Sequence, residues 1–309
     1  MLSTRFVQFF RYLFRWPTLK KAVVRISQRR LPGLSGEIAY NAMFSLFPAI
    51  LALLTSIGIF KSFLGFSFPK NWQTQLGQVA PDQALSVIHA VVQEIMQTEN
   101  TGLFSISFLV AIWVASAALS SAMFAFDQIA QIPPEQARPF WKAKLISIGL
   151  TIGTIVLLLV ASFLVFISDW ILRLVVHEVS SLRILLVLWG LLSWPLALAM
   201  VSVAFAFVYR YGPSRWTRGT PLMPGAVVAA VLWAIVSALF RLYVTDIANF
   251  NRTYGAIGAV MVLMLWLYIS ALVLLVGNEL NITVGEDMRT ATRSDLEPAQ
   301  SLKSKTRHN

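Results

Sequence analysis

Long apolar stretches alternate with short charged ones along most of the chain. Six stretches contain no charged residue and are rich in Leu, Ile, Val and Phe. Each exceeds the roughly 20 residues that a helix needs to cross about 30 Å of hydrocarbon. The pattern predicts an all-α polytopic membrane protein with six transmembrane helices, at residues 38–60, 100–126, 145–168, 184–209, 219–240 and 253–278.

The basic residues between these spans predict the orientation of the chain. With both termini in the cytoplasm, nineteen of the 25 Lys and Arg residues fall in cytoplasmic segments and the other six outside. Cytoplasmic loops of membrane proteins carry such an excess of positive charge. We therefore expect both termini inside. The net charge of +11, which would suggest nucleic acid binding in a soluble protein, is accounted for by this bias.

Three parts of the chain follow from this topology. Residues 1–36 are a basic arm in which aromatic and basic residues mix, as in helices that lie in the headgroup layer. Residues 37–281 form the six-helix membrane domain. Residues 282–309 are polar and are predicted to be a disordered cytoplasmic tail. A further amphipathic interfacial helix is predicted in the long outer loop, over residues 81–96.

The composition restricts the chemistry. Hydrophobic residues make up 57% and charged residues 13% of the chain, and the mean hydropathy is +0.69. There is no cysteine, which excludes disulfides, thiolate metal sites and a cysteine nucleophile. The three histidines are far apart in sequence, and no Gly-rich phosphate loop or paired nucleophile and base is visible. We therefore expect no catalytic residue, no metal and no cofactor.

Polar residues within or beside the spans are the candidate functional positions, because each is costly in hydrocarbon unless it is paired or hydrated. In the first span they recur on one helical face. The candidate cavity or transport residues are Glu37, Tyr40, Asn41, Ser45 and Pro48 in the first span, Trp113, Ser116, Ser120 and Asp127 in the second, Arg138 in the next loop, and Tyr268, Asn278 and Glu279 at the last.

Two of these candidates are carboxylates at the cytoplasmic ends of the first and last spans, Glu37 and Glu279. If the two helices are neighbours, both carboxylates face the mouth of one cavity. Alternatively, both only pair with loop arginines and hold the helix ends in place. The loop residues predicted as partners are Arg138, Arg210 and Arg215.

Short motifs in the spans also point to a known family. They include residues 44–48 (Phe-Ser-Leu-Phe-Pro), Pro224-Gly225-Ala226, Tyr254-Gly255, and Gly277 with Glu279. Over residues 37–281 the chain resembles the YihY/BrkB family of bacterial membrane proteins, which is also labelled ribonuclease BN-like. The resemblance implies a six-helix protein of the bacterial inner membrane, associated with envelope integrity and with the movement of lipids or other amphiphiles. Asn278 departs from it, because the family more often has a small apolar residue before the Glu.

Two functional hypotheses follow. The first is a transporter-like protein that moves a lipid or another amphiphile through a polar cavity open to the cytoplasm. The second is a non-transporting scaffold or envelope-integrity factor that binds anionic lipid or a partner protein through the basic arm. We expect anionic membrane lipids rather than nucleic acid as partners, and make no prediction of a homo-oligomer. The ribonuclease label has no support in the spans, which supply neither metal ligands nor a general base.

Overall fold

The regular structure of the described chain is entirely helical. A computed structural model describes residues 2–64, 109–157, 183–215, 220–244 and 250–305, and these ranges contain no strand. This confirms the all-α prediction. The helices are α1 (Leu2–Leu13), α2 (Trp16–Gln28), α3 (Leu31–Leu64), α4 (Leu109–Ile129, with a turn at Ser116), α5 (Phe140–Leu157), α6 (Arg183–Tyr211), α7 (Met223–Leu242) and α8 (Phe250–Lys305).

Each of the six predicted spans overlaps one of the helices α3 to α8. Four stretches within the described residues are long and apolar enough to cross a membrane, and the chain is an integral membrane protein. The described part of α6 adds a shorter apolar stretch, Pro195–Tyr211. The interfacial helix predicted over residues 81–96 lies outside the described residues. The four long stretches are Leu109–Ile129, Phe140–Leu157, Met223–Leu242 and Val260–Ala291.

The two arm helices are separated from each other and from α3 by short breaks. Pro17 lies in the first turn of α2, where its missing N–H costs nothing because no helical acceptor is available there. At the other end, Arg30 has a φ of 54°. This left-handed conformation commonly ends a helix. Helix α3, which contains the first predicted span, begins at the next residue.

The chain divides into two compact units, Met1–Tyr40 with Leu119–Asn309, and Asn41–Ala118. In the first unit, small residues at the helix contacts allow close approach, and larger side chains fill the spaces between them. Phe126 of α4 and Tyr209 of α6 are fully buried and meet edge to face, with ring centroids 5.8 Å apart. The core residues include Leu31, Leu34, Ile38, Ala122, Ala125, Val208, Ala226, Ala229, Val273 and Leu275.

Helix α8 continues well beyond the last predicted span. The sequence predicts a disordered tail from residue 282, whereas the structure has helix as far as Lys305. Thr283 and Val284 are fully buried, and Val284 packs with Phe9 and Leu13 of α1. The tail packs on the arm although its composition is polar, because composition alone does not show which segments pack together.

Candidate functional site

The arm and the last helix are joined by facing rows of opposite charge. Helix α2 and its C-cap carry three basic residues at intervals of four, which places them on one side of the arm. Helix α8 carries three carboxylates within little more than two turns. We call these six residues the arm clamp: Lys21 and Arg25 on α2, Arg29 just after its end, and Glu279, Glu286 and Asp287 on α8.

Glu279 is the most deeply buried member of the arm clamp, with none of its surface exposed. Its Oε2 accepts a 2.7 Å hydrogen bond from Arg29 Nη1, and its Oε1 accepts one of 2.7 Å from Thr283 Oγ1. Arg25 Nη1 lies 3.9 Å from Oε1. A buried carboxylate is tolerated only when it is paired and hydrogen-bonded. The charge of Glu279 is therefore balanced by the arm.

The outer pairs of the arm clamp are closer to solvent. Arg25 donates to Glu286 at 2.7 Å, and Lys21 donates to Asp287 at 2.8 Å and lies 3.3 Å from Glu286. Thr18 Oγ1 donates to the other oxygen of Asp287 at 2.8 Å. The side chains of Lys21 and Glu286 are 36% and 32% exposed, so each of these pairs contributes little alone. We therefore expect the contacts of Glu279 to contribute most of the stability that the arm clamp provides.

The structure corrects the partners predicted for Glu279. The loop residues Arg138, Arg210 and Arg215 make no ion pair with it within the described residues, and two arginines of the arm take that place. The prediction was wrong because the arm, expected to spread all its positive charge against the headgroups, directs three of its basic residues onto α8.

Arg138 instead joins the ends of α4 and α6. Its guanidinium donates to the carbonyl oxygens of residues 211–213 at 2.7 to 3.0 Å, where the end of α6 leaves carbonyls without helical partners. Ser214 donates from its N–H and its Oγ to Asp127, at 2.6 and 2.5 Å, and accepts from the Arg138 N–H at 3.1 Å. Partial burial lowers the pKa of Arg138, and the negative charge of Asp127 opposes that shift. Two predicted site residues thus meet in a loop connection.

Asn281 connects α8 to the first turn of α7. Its Oδ1 accepts from the Gly225 N–H at 3.0 Å, and its Nδ2 donates to the Leu222 carbonyl at 3.3 Å. A Cβ at Gly225 would overlap the Asn281 side chain, so the close approach requires glycine. Further along the same two helices, Trp233 Nε1 donates to Ser270 Oγ at 3.1 Å. The α8 face that carries Ser270 and Asn281 is therefore the packing surface for α7.

Asn278 differs from its polar neighbours on α8. It is 1% exposed, and its Nδ2 has no hydrogen-bond partner among the described residues. A buried polar group without a partner costs about 1–3 kcal/mol. Glu279 and Asn281, one and three residues further on, are both hydrogen-bonded. Asn278 is therefore a buried polar residue at this site whose Nδ2 donors have no acceptor among the described residues.

The second unit contains five of the predicted site residues. Ser45 Oγ donates to the Asn41 carbonyl at 2.6 Å and lies 3.3 Å from the Val114 carbonyl oxygen. Ser116 Oγ donates to the Trp113 carbonyl at 2.7 Å. Hydroxyls that bond to the preceding turn of their own helix are typical of packing positions. Pro48 lies inside α3, which continues through it.

The remaining predicted residues belong to the first unit. Glu37 and Tyr40 are both exposed, so Glu37 does not share the buried environment of Glu279. Ser120 Oγ donates to Ser147 Oγ at 2.9 Å, which links α4 to α5. Tyr268 is partly buried on α8. These positions contribute to helix packing and to the surface of the unit.

Lys21, Arg25 and Arg29 are not among the site residues predicted from the sequence. A signal was nevertheless present, because their spacing of four places them on one face of the arm, and Glu286 and Asp287, seven and eight residues after Glu279, share its face of α8. The two faces carry opposite charge, and only the tertiary fold shows that they pack against each other.

No metal-binding cluster of His, Asp and Glu is present in the part of the chain that the structure describes. No group of three or more such side chains comes together within those ranges. Glu286 and Asp287, which are adjacent, pair with basic residues of the arm. The contacts described at this site are hydrogen bonds and charge pairs.

The chain is similar to several named bacterial proteins. It is 31% identical over 266 residues to the putative ribonuclease-like protein YfkH of Bacillus subtilis, covering 85% of this chain and 93% of that protein. It is 27% identical to a UPF0761 membrane protein of Aliivibrio fischeri strain ES114, covering 88% and 84%, and 24% identical to one of Kangiella koreensis, covering 85% and 63%. No solved structure matches. The model of the virulence factor BrkB family matches residues 22–303, from α2 through most of α8, and the chain belongs to this family of membrane proteins.

Proposed function

We propose that this protein is transporter-like and moves a lipid or another amphiphile across the membrane, along a polar path that begins at the arm clamp. The observation that carries the proposal is Asn278, a buried amide without a partner for its Nδ2 among the described residues, next to the buried charge of Glu279. Polar groups at membrane depth are costly, and where they persist they commonly line substrate pathways.

The arm clamp supplies a way to open this path. An anionic headgroup that arrives from the cytoplasm competes with Glu279 for Arg29 and Arg25, because guanidinium groups bind phosphate and carboxylate in the same geometry. Once the arginines turn to the headgroup, the amide of Asn278 becomes available to donate to it. The path is closed while Arg25 and Arg29 pair with Glu279, and it is open when they pair with the headgroup instead.

We also infer that all six predicted spans cross the bacterial inner membrane, with both termini in the cytoplasm. The overlap of each span with a helix and the excess of basic residues on one side support this topology. The chain has no cysteine, so single Cys substitutions at the exposed Lys20 and Lys142 report sidedness without background. A membrane-impermeant maleimide should label both in inverted vesicles only, and labelling in intact cells contradicts the topology.

Translocation is tested with purified protein reconstituted in liposomes that contain a headgroup-labelled phospholipid. We expect the lipid to cross between leaflets faster than in empty vesicles, and the Asn278→Leu and Glu279→Gln variants to lose this acceleration. Asn278→Leu should also raise the thermal stability, because it removes an amide group whose Nδ2 has no partner among the described residues.

Asn281→Leu is the matched control, because it makes the same replacement three residues away. It loses two hydrogen bonds that hold α7, so it should lower the thermal stability and leave transport intact below its midpoint temperature. Unchanged crossing in folded Asn278→Leu and Glu279→Gln contradicts the proposed path.

The exposed surface of the arm favours a second candidate function, a scaffold that binds anionic lipid or a partner protein without transport. Phe14 and Trp16 are 76% and 78% exposed beside the basic residues of the arm. Aromatic and basic side chains together are typical of surfaces that lie on a membrane. Under this function, folded protein does not accelerate crossing of any labelled lipid, and Asn278→Leu has no effect in cells.

A further inference from the structure

A cavity of about 420 Å³ opens where the corner between α1 and α2 meets α8. It lies beyond the outer end of the arm clamp, on the opposite side of Asp287 from Glu279 in the α8 sequence. Its lining includes one arginine and one carboxylate. The residues around it include Tyr12, Arg15, Thr18, Asp287 and Thr290.

The lining contains one positive and one negative side chain, and only the negative one has a partner of opposite charge among the described residues. Asp287 accepts hydrogen bonds of 2.8 Å from both Lys21 and Thr18, so a cation already balances its charge. Arg15 forms no ion pair with any carboxylate among the described residues. The cavity is therefore suited to an anion.

Arg15 is also oriented to receive an anion. Its guanidinium carbon lies 4.5 Å from the centre of the Tyr12 ring. Stacking on an aromatic ring uses the flat face of the guanidinium and leaves the N–H groups at its edge. Those donors make no hydrogen bond within the described residues, and their planar arrangement matches two oxygens of a phosphate group.

The surroundings of the cavity indicate where such a phosphate comes from. Residues 1–36 contain eight basic residues and no Asp or Glu. Phe14 and Trp16, on either side of Arg15, are 76% and 78% exposed. Exposed aromatic side chains next to an arginine are typical of the depth of lipid headgroups. Helix α3, which contains the first predicted span, is separated from α2 by only two residues.

We propose that this cavity binds the phosphate group of an anionic phospholipid from the cytoplasmic leaflet, with Arg15 as the phosphate ligand and Phe14 and Trp16 inserted between neighbouring lipids. The binding site is separate from Asn278 and does not depend on translocation. It assigns the two sides of the arm to different partners: Lys21, Arg25 and Arg29 pair with α8, and Arg15 pairs with lipid.

The test uses the full chain purified in an uncharged detergent. Thermal unfolding is followed during titration with phosphatidylglycerol or with phosphatidylcholine of the same acyl chains. We expect phosphatidylglycerol to raise the midpoint temperature and phosphatidylcholine to have little effect. Arg15→Gln should weaken the apparent affinity for phosphatidylglycerol by about tenfold or more, because it removes the charge-assisted donors.

Arg30→Gln is the matched control, since Arg30 is an exposed arginine of the same arm that does not line the cavity. It should change the affinity less than about twofold. Arg15 is exposed and outside the arm clamp, so Arg15→Gln without lipid should unfold at the wild-type temperature.

Three results overturn the proposal. Equal loss of affinity in both variants indicates diffuse attraction by the arm rather than a site. Both lipids carry a phosphate and differ in the net charge of the headgroup, so an equal response to them removes the preference for an anionic phospholipid. Equal stabilisation by glycerol phosphate or inorganic phosphate assigns the cavity to a free anion instead of a lipid.

Discussion

Removal of Arg29 is the perturbation that tests the arm clamp most directly. In Arg29→Met, Glu279 keeps the hydrogen bond from Thr283 and the 3.9 Å contact with Arg25, and loses its 2.7 Å bond to the guanidinium. Breaking a buried ion pair from one side costs about 3–5 kcal/mol, because a buried charge is left uncompensated. We expect a loss of about 3 kcal/mol in the free energy of unfolding, at the lower end because Arg25 remains nearby.

The double variant Arg29→Met with Glu279→Leu separates charge balance from packing. Replacing a buried ion pair with apolar side chains of similar volume is commonly neutral or stabilising. We therefore expect the double variant to be more stable than either single variant, with a coupling energy of at least about 2 kcal/mol.

Lys21→Met is the control on the same helix face, because Lys21 is 36% exposed and its pairs are hydrated. It should cost less than about 1 kcal/mol. The measurement is reversible unfolding by sodium dodecyl sulfate in mixed micelles, followed by the fluorescence of the ten tryptophans. Additive effects of the Arg29 and Glu279 changes, or an Arg29→Met variant as stable as Lys21→Met, refute the reasoning.

Three further substitutions test other contacts in the same titration. Gly225→Ala should lose about 1–3 kcal/mol because the added methyl group overlaps Asn281, whereas Gly149→Ala, with open space at its Cβ, should be neutral or slightly stabilising. Arg138→Met should lose about 1–3 kcal/mol with its carbonyl contacts, and a wild-type midpoint would show that water replaces them. Tyr209→Phe should lose about 1 kcal/mol with its 2.8 Å bond to the α8 backbone, and no change would mean that this bond is energetically neutral.

The helical framework could be predicted because burial in a membrane requires long apolar runs that are visible in one dimension. Glu279 could also be predicted, since a carboxylate that ends such a run needs a partner. Its partner could not, because Arg29 is 250 residues away and only the packing of α2 on α8 brings the two together. The local sequence therefore identifies the carboxylate that needs a partner, whereas the identity of that partner depends on the tertiary fold.

The tail shows the same limit from the other side. The residues after Asn281 are polar, and their composition predicts disorder. Val284 is nevertheless fully buried against Phe9 and Leu13. The apolar face of α1 covers this part of the tail, and the sequence of the tail alone does not contain that information. Sequence reasoning that treats segments separately assigns both to the periphery.

The separation of Arg29 and Glu279 in the chain also bears on biogenesis. At a synthesis rate of about 5–20 residues per second, the arm is complete roughly 12–50 s before its partner on α8 has been made. During that interval its basic face lacks the carboxylates of α8. Closing of the contact is therefore among the last events of assembly, and a chain terminated before α8 differs from a finished one at its very first helices.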